Sequence, residues 1–333
     1  MSAGEPPAVA LFEPWSLGDV IIAASVLREL IEPATLACHG DWHPIVREIL
    51  RDSPELRLLA VDLPYTTRKR GSPFDASGRS KVMRMEEVSL VLSIRGDARD
   101  YMAARNMFPR ARIRMTGWIR FWARKSALLN SPFLLGFASV QNRYRSWASL
   151  AGISYDRVEQ AYRERQSGAP RNGEVVIHIG AQWRSKQYPH VVELREVLRR
   201  HGYEVRLVAG EKDLLPRGVD EAAVMRAQDQ PLIELLRSAE HVITNDSGPM
   251  HLAAFLGCRT TALVRTSPIE EWVPPATRIV ASDKTPRGYR PHRRYKSDEI
   301  LSDWPSIAAI VDGLPAPQIF PKSVTLASHL TGA

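Results

Sequence analysis

Short aliphatic and β-branched runs alternate along this chain with longer stretches that repeat apolar residues at helical spacing. Val9 to Phe12, Thr35 to Ala37, Leu56 to Val61 and Ser89 to Ile94 have the length and character of buried strands. Between them, Asp19 to Ile31, Trp42 to Arg51 and Asp97 to Met107 read as helices, and Ala111 to Met115 adds a further strand. The alternation predicts a parallel sheet covered on both faces. Pro64 to Lys81, rich in Pro, Gly, Ser and Arg, predicts a loop, and Phe121 to Leu150 predicts helix interrupted at Pro132 and Gly136.

The same rhythm restarts after Gln166 to Gly173, a polar, Gly- and Pro-containing stretch that reads as a linker. Glu174 to Ile179, Tyr203 to Val208, His241 to Thr244 and Arg259 to Val264 are the expected strands. Val191 to Arg200, Leu232 to Ala239 and Pro249 to Gly257 are the expected helices between them. A closing helix is expected from about Ser302 to Val311, with Pro305 in its first turn. The division this implies is an α/β domain over residues 1–168, a second over 173–313 and a loosely structured tail over 314–333. Two doubly wound domains in tandem hold ligands at the carboxyl ends of their strands.

Candidate chemistry gathers at those ends. Thr244-Asn245-Asp246-Ser247-Gly248-Pro249-Met250-His251 places a polar turn where a strand meets a helix. The helix start offers unpaired N–H donors beside Ser247 and Gly248, a seat for phosphate, and Asp246 either accepts from a ligand hydroxyl or caps the helix. His251 either joins that seat or packs in the core. In the first half, Pro14-Trp15-Ser16-Leu17-Gly18-Asp19 is the counterpart, and Asp19 is either a general base aimed into the cleft or a cap. Lys186, after the first strand of the second half, could neutralise a phosphate or a departing diphosphate, with Arg184 a weaker candidate. Glu211, after the next strand, could bind sugar hydroxyls; plain surface charge is the alternative for both Lys186 and Glu211. Neither a Gly-x-Gly-x-x-Gly fingerprint nor a Gly-Lys-Ser/Thr phosphate loop occurs.

Composition narrows the partners. The formal charge is +8, with fifteen Lys and Arg against six Asp and Glu between residues 60 and 130, and six Lys and Arg with no acid from Lys284 to Lys296. Such patches suit an anionic glycan, an acidic membrane surface or nucleic acid; the absence of a zinc-finger or RNA-recognition pattern places nucleic acid last. Cys38 and Cys258 lie in different halves and read as small buried residues, not as a disulfide or a metal site. No apolar run is long enough to span a membrane, and Met1 to Pro7 has no basic region followed by an apolar one, so a cytoplasmic location is expected.

These motifs resemble the lipopolysaccharide heptosyltransferase-like family of inverting glycosyltransferases. The resemblance rests on Ser16-Leu17-Gly18-Asp19-Val20, Lys186 with Tyr188-Pro189, Gly210-Glu211, and Asn245 to Ala254 with its Asp246-Ser247-Gly248-Pro249 turn. It implies the GT-B fold, with two Rossmann-like domains facing a central cleft. It makes Asp19 the base on the acceptor hydroxyl, Lys186 a contact of the donor phosphate or sugar, Glu211 of the ribose and Asp246 of the donor sugar. Ser247, Gly248 and His251 would surround the diphosphate. It also implies an ADP-activated sugar, possession of no cofactor or metal, and an anionic glycan or glycolipid acceptor reached by peripheral contact with the inner membrane. The chain departs from the family pattern at Ala181-Gln182, where two threonines are usual, at Arg265 for glycine and at Ser25 for proline. A non-catalytic nucleotide-sugar or glycan-binding protein on the same fold is the alternative.

Overall fold

The computed structural model describes residues 8–30, 33–53, 56–61, 63, 85–95, 98–115, 142–168, 172–211, 213–227, 229–285 and 300–317. The loop expected over 64–81, the helical stretch expected over 121–141, residues 286–296 and the tail from 318 lie outside the described residues, as does much of the basic region between 60 and 130.

The first sheet is formed by β1 (Ala8–Phe12), β2 (Ala34–Cys38), β3 (Arg57–Ala60), β4 (Val88–Ser93) and β5 (Arg112–Met115). All pairings are parallel, in the order β3-β2-β1-β4-β5, with Leu11 opposite Leu36 and Leu92. β1 is central and its Ala10, Leu11 and Phe12 are fully buried, as a strand covered on both faces requires. Helices α1 (Leu17–Leu27), α2 (His43–Ile49) and α3 (Ala98–Met107) connect the strands. α1 is buried all round from Gly18 to Leu27, the mark of a helix packed on two sides.

The second sheet has the order β11-β10-β9-β6-β7-β8, again all parallel. Its strands are β6 (Glu174–His178), β7 (Glu204–Gly210), β8 (Val224–Ala227), β9 (His241–Asn245), β10 (Thr260–Val264) and β11 (Thr277–Ala281). β8 and β11 are edge strands that the apolar pattern does not announce, since Met225-Arg226 and Thr277-Arg278 interrupt it.

Two helices join the halves. α4 (Arg143–Ala151) is the end of the expected broken helix, while α5 (Tyr155–Gly168) was not expected and runs through Gln166 and Ser167, where a linker was read. Its polar sequence hides it, because Val158 and Tyr162 are its buried residues. Gln166 Nε2 donates to the carbonyls of Cys258 and Ala276, and Tyr162 meets Phe255 edge-on. Ser25 Oγ stands 2.6 Å from Tyr162 Oη, so the residue found where proline is usual ties α1 to α5.

In the second half, α6 (Val191–Arg200), α7 (Asp229–Ser238), α8 (Gly248–Phe255) and α9 (Ile269–Trp272) connect the strands. The closing helix α10 (Ile307–Val311) is shorter than expected: Ser306 caps it by accepting from the Ala309 N–H at 3.2 Å, which leaves Pro305 ahead of the cap. Cys38 and Cys258 are buried, as expected. No described helix is long and apolar enough to cross a membrane.

Candidate active site between two facing helix starts

α1 and α8 cross at their first turns, and the crossing brings the two signature motifs into contact. A side chain at Gly18 would meet the His251 ring at 2.8 Å, and one at Gly248 would meet Leu17 at 3.3 Å. Glycine at 18 is thus required by the close approach of the imidazole. His251 is buried, and its Nδ1 lies 2.8 Å from the Tyr144 hydroxyl of α4. Burial lowers the imidazole pKa to about 4 against the pull of Asp246 and Asp19, so the ring is neutral at pH 7. The geometry of His251 locks the two helix starts together.

On the first side, Asp19 is buried in the first turn of α1. Ser16 Oγ donates to its Oδ2 at 2.7 Å, and Arg95 Nη2 lies 2.6 Å from the same oxygen. Burial pushes its carboxyl up, but Arg95, the Ser16 hydrogen bond and the charge of Arg143 outweigh burial and hold it below the usual carboxylate range. Arg95 follows β4 and also reaches Glu13 Oε1 through Nε at 3.3 Å. Glu13, at the end of β1, is fully buried, and burial raises its carboxyl to about 8.

On the second side, Asp246 and Lys186 form an ion pair of 2.7 Å, and the ammonium also reaches the Asp246 carbonyl at 3.3 Å. Burial would raise the Asp246 carboxyl, but Lys186 holds it low through charge and hydrogen bond. Lys186 stands on a single 3₁₀ turn, Arg184–Lys186, pinned to β9 by Asn245. Asn245 Oδ1 accepts from the Tyr188 N–H at 3.0 Å, and its Nδ2 donates to the carbonyls of Ile179 and Gly180 at 3.1 and 3.3 Å. Ser247 is the N-cap residue of α8, yet its side chain makes no capping bond; its Oγ donates to the Asn245 carbonyl at 3.3 Å. The Ser247 and Gly248 end of the helix is half-buried, with its donors unclaimed by a side-chain cap.

The structure thus brings Asp19, Gly18, Gly248 and His251 together and pairs Lys186 with Asp246, while Glu211 sits exposed just past β7. The carboxylate that turns inward there is Asp213. Its Oδ2 accepts from the Gly210 N–H at 2.9 Å, lies 3.7 Å from His178 Nε2 and fills the space a side chain at Gly180 would need. Sequence reasoning also missed Arg95, Glu13, Asn245 and Tyr144. Arg95 could have been found by the rule that marked Lys186, since each follows a central strand at its carboxyl end. Arg265, found where glycine is usual, turns to the Lys284 carbonyl at 3.2 Å and to Asp303 at 3.6 Å. Among the described residues, no group of three or more His, Cys, Asp or Glu is placed to hold a metal ion.

Comparison with known proteins bears on the fold and on the second half of the chain. Residues 148–300 match the model of Glycosyltransferase family 9 (heptosyltransferase). The fold is similar to that of E. coli heptosyltransferase WaaC with ADP-2-deoxy-2-fluoro heptose, at 15% identity and a TM-score of 0.53 over 83% of this chain and 94% of that one. E. coli ADP-heptose lps heptosyltransferase II gives 18% identity and a TM-score of 0.51 over 82% and 89%. A family 9 glycosyl transferase from Veillonella parvula gives 16% and 0.55 over 83% and 86%. No curated protein matches the sequence. The two parallel sheets with their flanking helices are the GT-B fold. The matched region carries both Lys186 and Asp246, so this part of the chain resembles a family 9 glycosyltransferase domain, and the fold is that of the heptosyltransferases.

Proposed function

We propose that the protein transfers a sugar, with heptose the favoured candidate, from an ADP-sugar to a hydroxyl of an anionic glycan or lipid-linked acceptor, with inversion. The acceptor oxygen attacks the anomeric carbon, the bond from that carbon to the diphosphate oxygen breaks, and the acceptor proton passes to Asp19. Residues 1–168 present the acceptor and residues 173–313 hold the donor. Lys186 meets the diphosphate or sugar, Asp246 the sugar, and Glu211 the ribose. Ser247, Gly248 and the start of α8 take the diphosphate charge, with His251 holding that helix start in place. The ADP-sugar assignment draws on the WaaC structures, one with ADP-2-deoxy-2-fluoro heptose and one with ADP.

One observation carries this reading: a buried, ionised carboxylate on one sheet and a lysine–aspartate pair beside an open helix start on the other are held against each other through Gly18 and His251. A carboxylate kept ionised at neutral pH can take a proton, and a helix start with a cation can take a departing diphosphate. The basic stretches give an anionic acceptor an electrostatic attraction, and such an acceptor places the reaction at the cytoplasmic face of a membrane, as in lipopolysaccharide assembly. Calorimetric titration with ADP and with ADP-heptose, followed by product analysis of ADP-heptose turnover, tests the proposal. ADP binding with an inverted product is the expected result; donor binding without turnover under any acceptor would make the chain a binding protein on this fold.

A further inference from the structure

The hydrogen bond and the ion pair that hold Asp19 converge on one oxygen. Ser16 Oγ and Arg95 Nη2 both engage Oδ2, and among the described residues no donor engages Oδ1. Arg95 is itself fixed from three directions. Its Nε reaches Glu13 Oε1, its Nη2 reaches Asp19, and its guanidinium lies 4.4 Å from the centroid of the Trp15 ring. Trp15 is fixed in turn, because its Nε1 donates to Asp100 Oδ2 at 3.0 Å and its carbonyl accepts from Trp42 Nε1 at 2.9 Å.

From this geometry, and resting on the reading of Asp19 as the base, we infer that Arg95 is a positioning residue for transfer. Clamped by Glu13 and stacked on Trp15, it anchors Asp19 through Oδ2 so that Oδ1 is the oxygen offered to the acceptor hydroxyl. A guanidinium suits this work where an ammonium does not, since its planar fork binds two carboxyl groups while its face stacks on an indole. Glu13 serves the arrangement as a buried carboxyl whose Oε1 accepts the Arg95 hydrogen bond, with burial holding it up to about 8. The consequence is a base that is always ionised but intrinsically weak. Such a base takes the proton late, once attack on the sugar has acidified the hydroxyl.

The test reads the carboxyl of Asp19 directly. The full chain is labelled with [¹³Cγ]aspartate, the Asp19 resonance is assigned by its loss in Asp19→Asn, and pH titrations are compared among variants. The groups facing this carboxyl are Ser16 in its own loop, Glu13 at the end of β1, Arg95 after β4, Arg143 on α4 and His251 on α8, with Asp100 of α3 acting on Glu13 and Arg95. Arg95→Gln should raise the Asp19 midpoint by about one to three pH units. It should also cut the rate of ADP release from ADP-heptose by about 10²-fold with little change in donor KM. A midpoint that does not move, or an unchanged rate, overturns the proposal. Arg95→Lys should keep the midpoint low but not restore the rate; full restoration would refute the role of the fork.

Should Arg95→Gln fail to fold, Ser16→Ala removes the other anchor and should move the midpoint in the same direction by less, and no movement there overturns the proposal. Failure of the underlying reading looks different. An Asp19→Asn enzyme that still turns over refutes the base itself, whereas a dead Asp19→Asn beside a fully active Arg95→Gln refutes only the positioning role.

Discussion

Asp19 and Asp246 stand at corresponding strand-to-helix junctions of the two sheets, and each has one cation beside it, Arg95 at 2.6 Å and Lys186 at 2.7 Å. The pairs are nonetheless built for different behaviour. Arg95 is shared between two carboxyl groups and an indole, so leaving Asp19 would break several contacts at once. Lys186 sits on one turn of 3₁₀ helix, and among the described residues its ammonium is held by Asp246 alone, through carboxylate and carbonyl. A flexible stem with three rotatable donors can exchange Asp246 for a diphosphate as donor arrives and departs. Under the proposed mechanism, the contrast separates a preorganised side, where the proton would move, from an exchangeable side, where the donor would come and go.

The widest gap between the two sides should appear when each aspartate is made neutral. Asp19→Asn should lower transfer by about 10²- to 10⁴-fold while calorimetric ADP affinity stays near that of the wild type. Asp246→Asn should weaken binding of the intact nucleotide sugar, because it removes the partner that places Lys186 and the proposed sugar contact. If Asp246→Asn left donor affinity intact and Asp19→Asn weakened it, the division of labour drawn here would be reversed.

Next in size is the clamp that holds the sides together. Arg143 of α4 meets Glu271 of α9 through Nε at 3.0 Å and Nη2 at 2.5 Å, both side chains only 4% exposed, with Trp272 under the guanidinium at 4.8 Å. Arg143→Met removes the closest cation from the buried Glu271 carboxylate and should cost about 3–5 kcal/mol by denaturant unfolding. The double variant Arg143→Met with Glu271→Leu should recover much of the loss. Failure to recover would place the stabilisation in packing on Trp272, not in the charges.

How much of this was legible in the sequence depends on what marks a residue. Lys186 and Asp246 could be placed because each follows a recognisable apolar strand of the same sheet, and the paired motifs around Gly18 and Gly248 announced the two-lobed fold. Arg95 obeys the same rule but lies in a stretch crowded with arginines, where charge says nothing of burial. Glu211 and Asp213 differ by two positions, and only the turn after Gly210, with the Arg226 guanidinium bonded to the Gly210 and Asp213 carbonyls, decides which carboxylate faces the sheet. Strands β8 and β11 escaped notice because edge strands need little apolar pattern, and α5 because a helix that buries two residues shows almost none.

A smaller effect, specific to the first side, comes from pH. Glu13 is neutral in the fold up to about pH 8 but ionises near 4.5 in the unfolded chain. Its contribution to stability is therefore fully present below pH 4.5 and is lost progressively as pH rises towards 8, where the folded form also ionises. Glu13→Gln keeps a neutral acceptor for Arg95 and removes this loss, so its melting temperature should gain on the wild type between pH 5 and pH 8. On the second side Lys186 holds Asp246 low instead, so Asp246→Asn should lack this trend; a pH-independent difference for Glu13→Gln would mean that Glu13 is already ionised beside Arg95.

The smallest change to stability should come from Ser247→Ala, and there the size is the point. Replacing a serine that caps a helix ordinarily costs about 0.5–2 kcal/mol, because an N–H loses its partner. Ser247 occupies the N-cap position of α8 without making that bond, and its hydroxyl donates backward to the Asn245 carbonyl. Its removal should therefore shift unfolding by less than about 0.5 kcal/mol in the absence of nucleotide. If the hydroxyl and the neighbouring N–H groups are kept for a diphosphate, the same variant should lose part of the thermal stabilisation that ADP confers on the wild type. A stability loss of normal capping size with an undiminished ADP shift would show instead that Ser247 serves the helix, and that the exchangeable side consists of Lys186 and Asp246 without it.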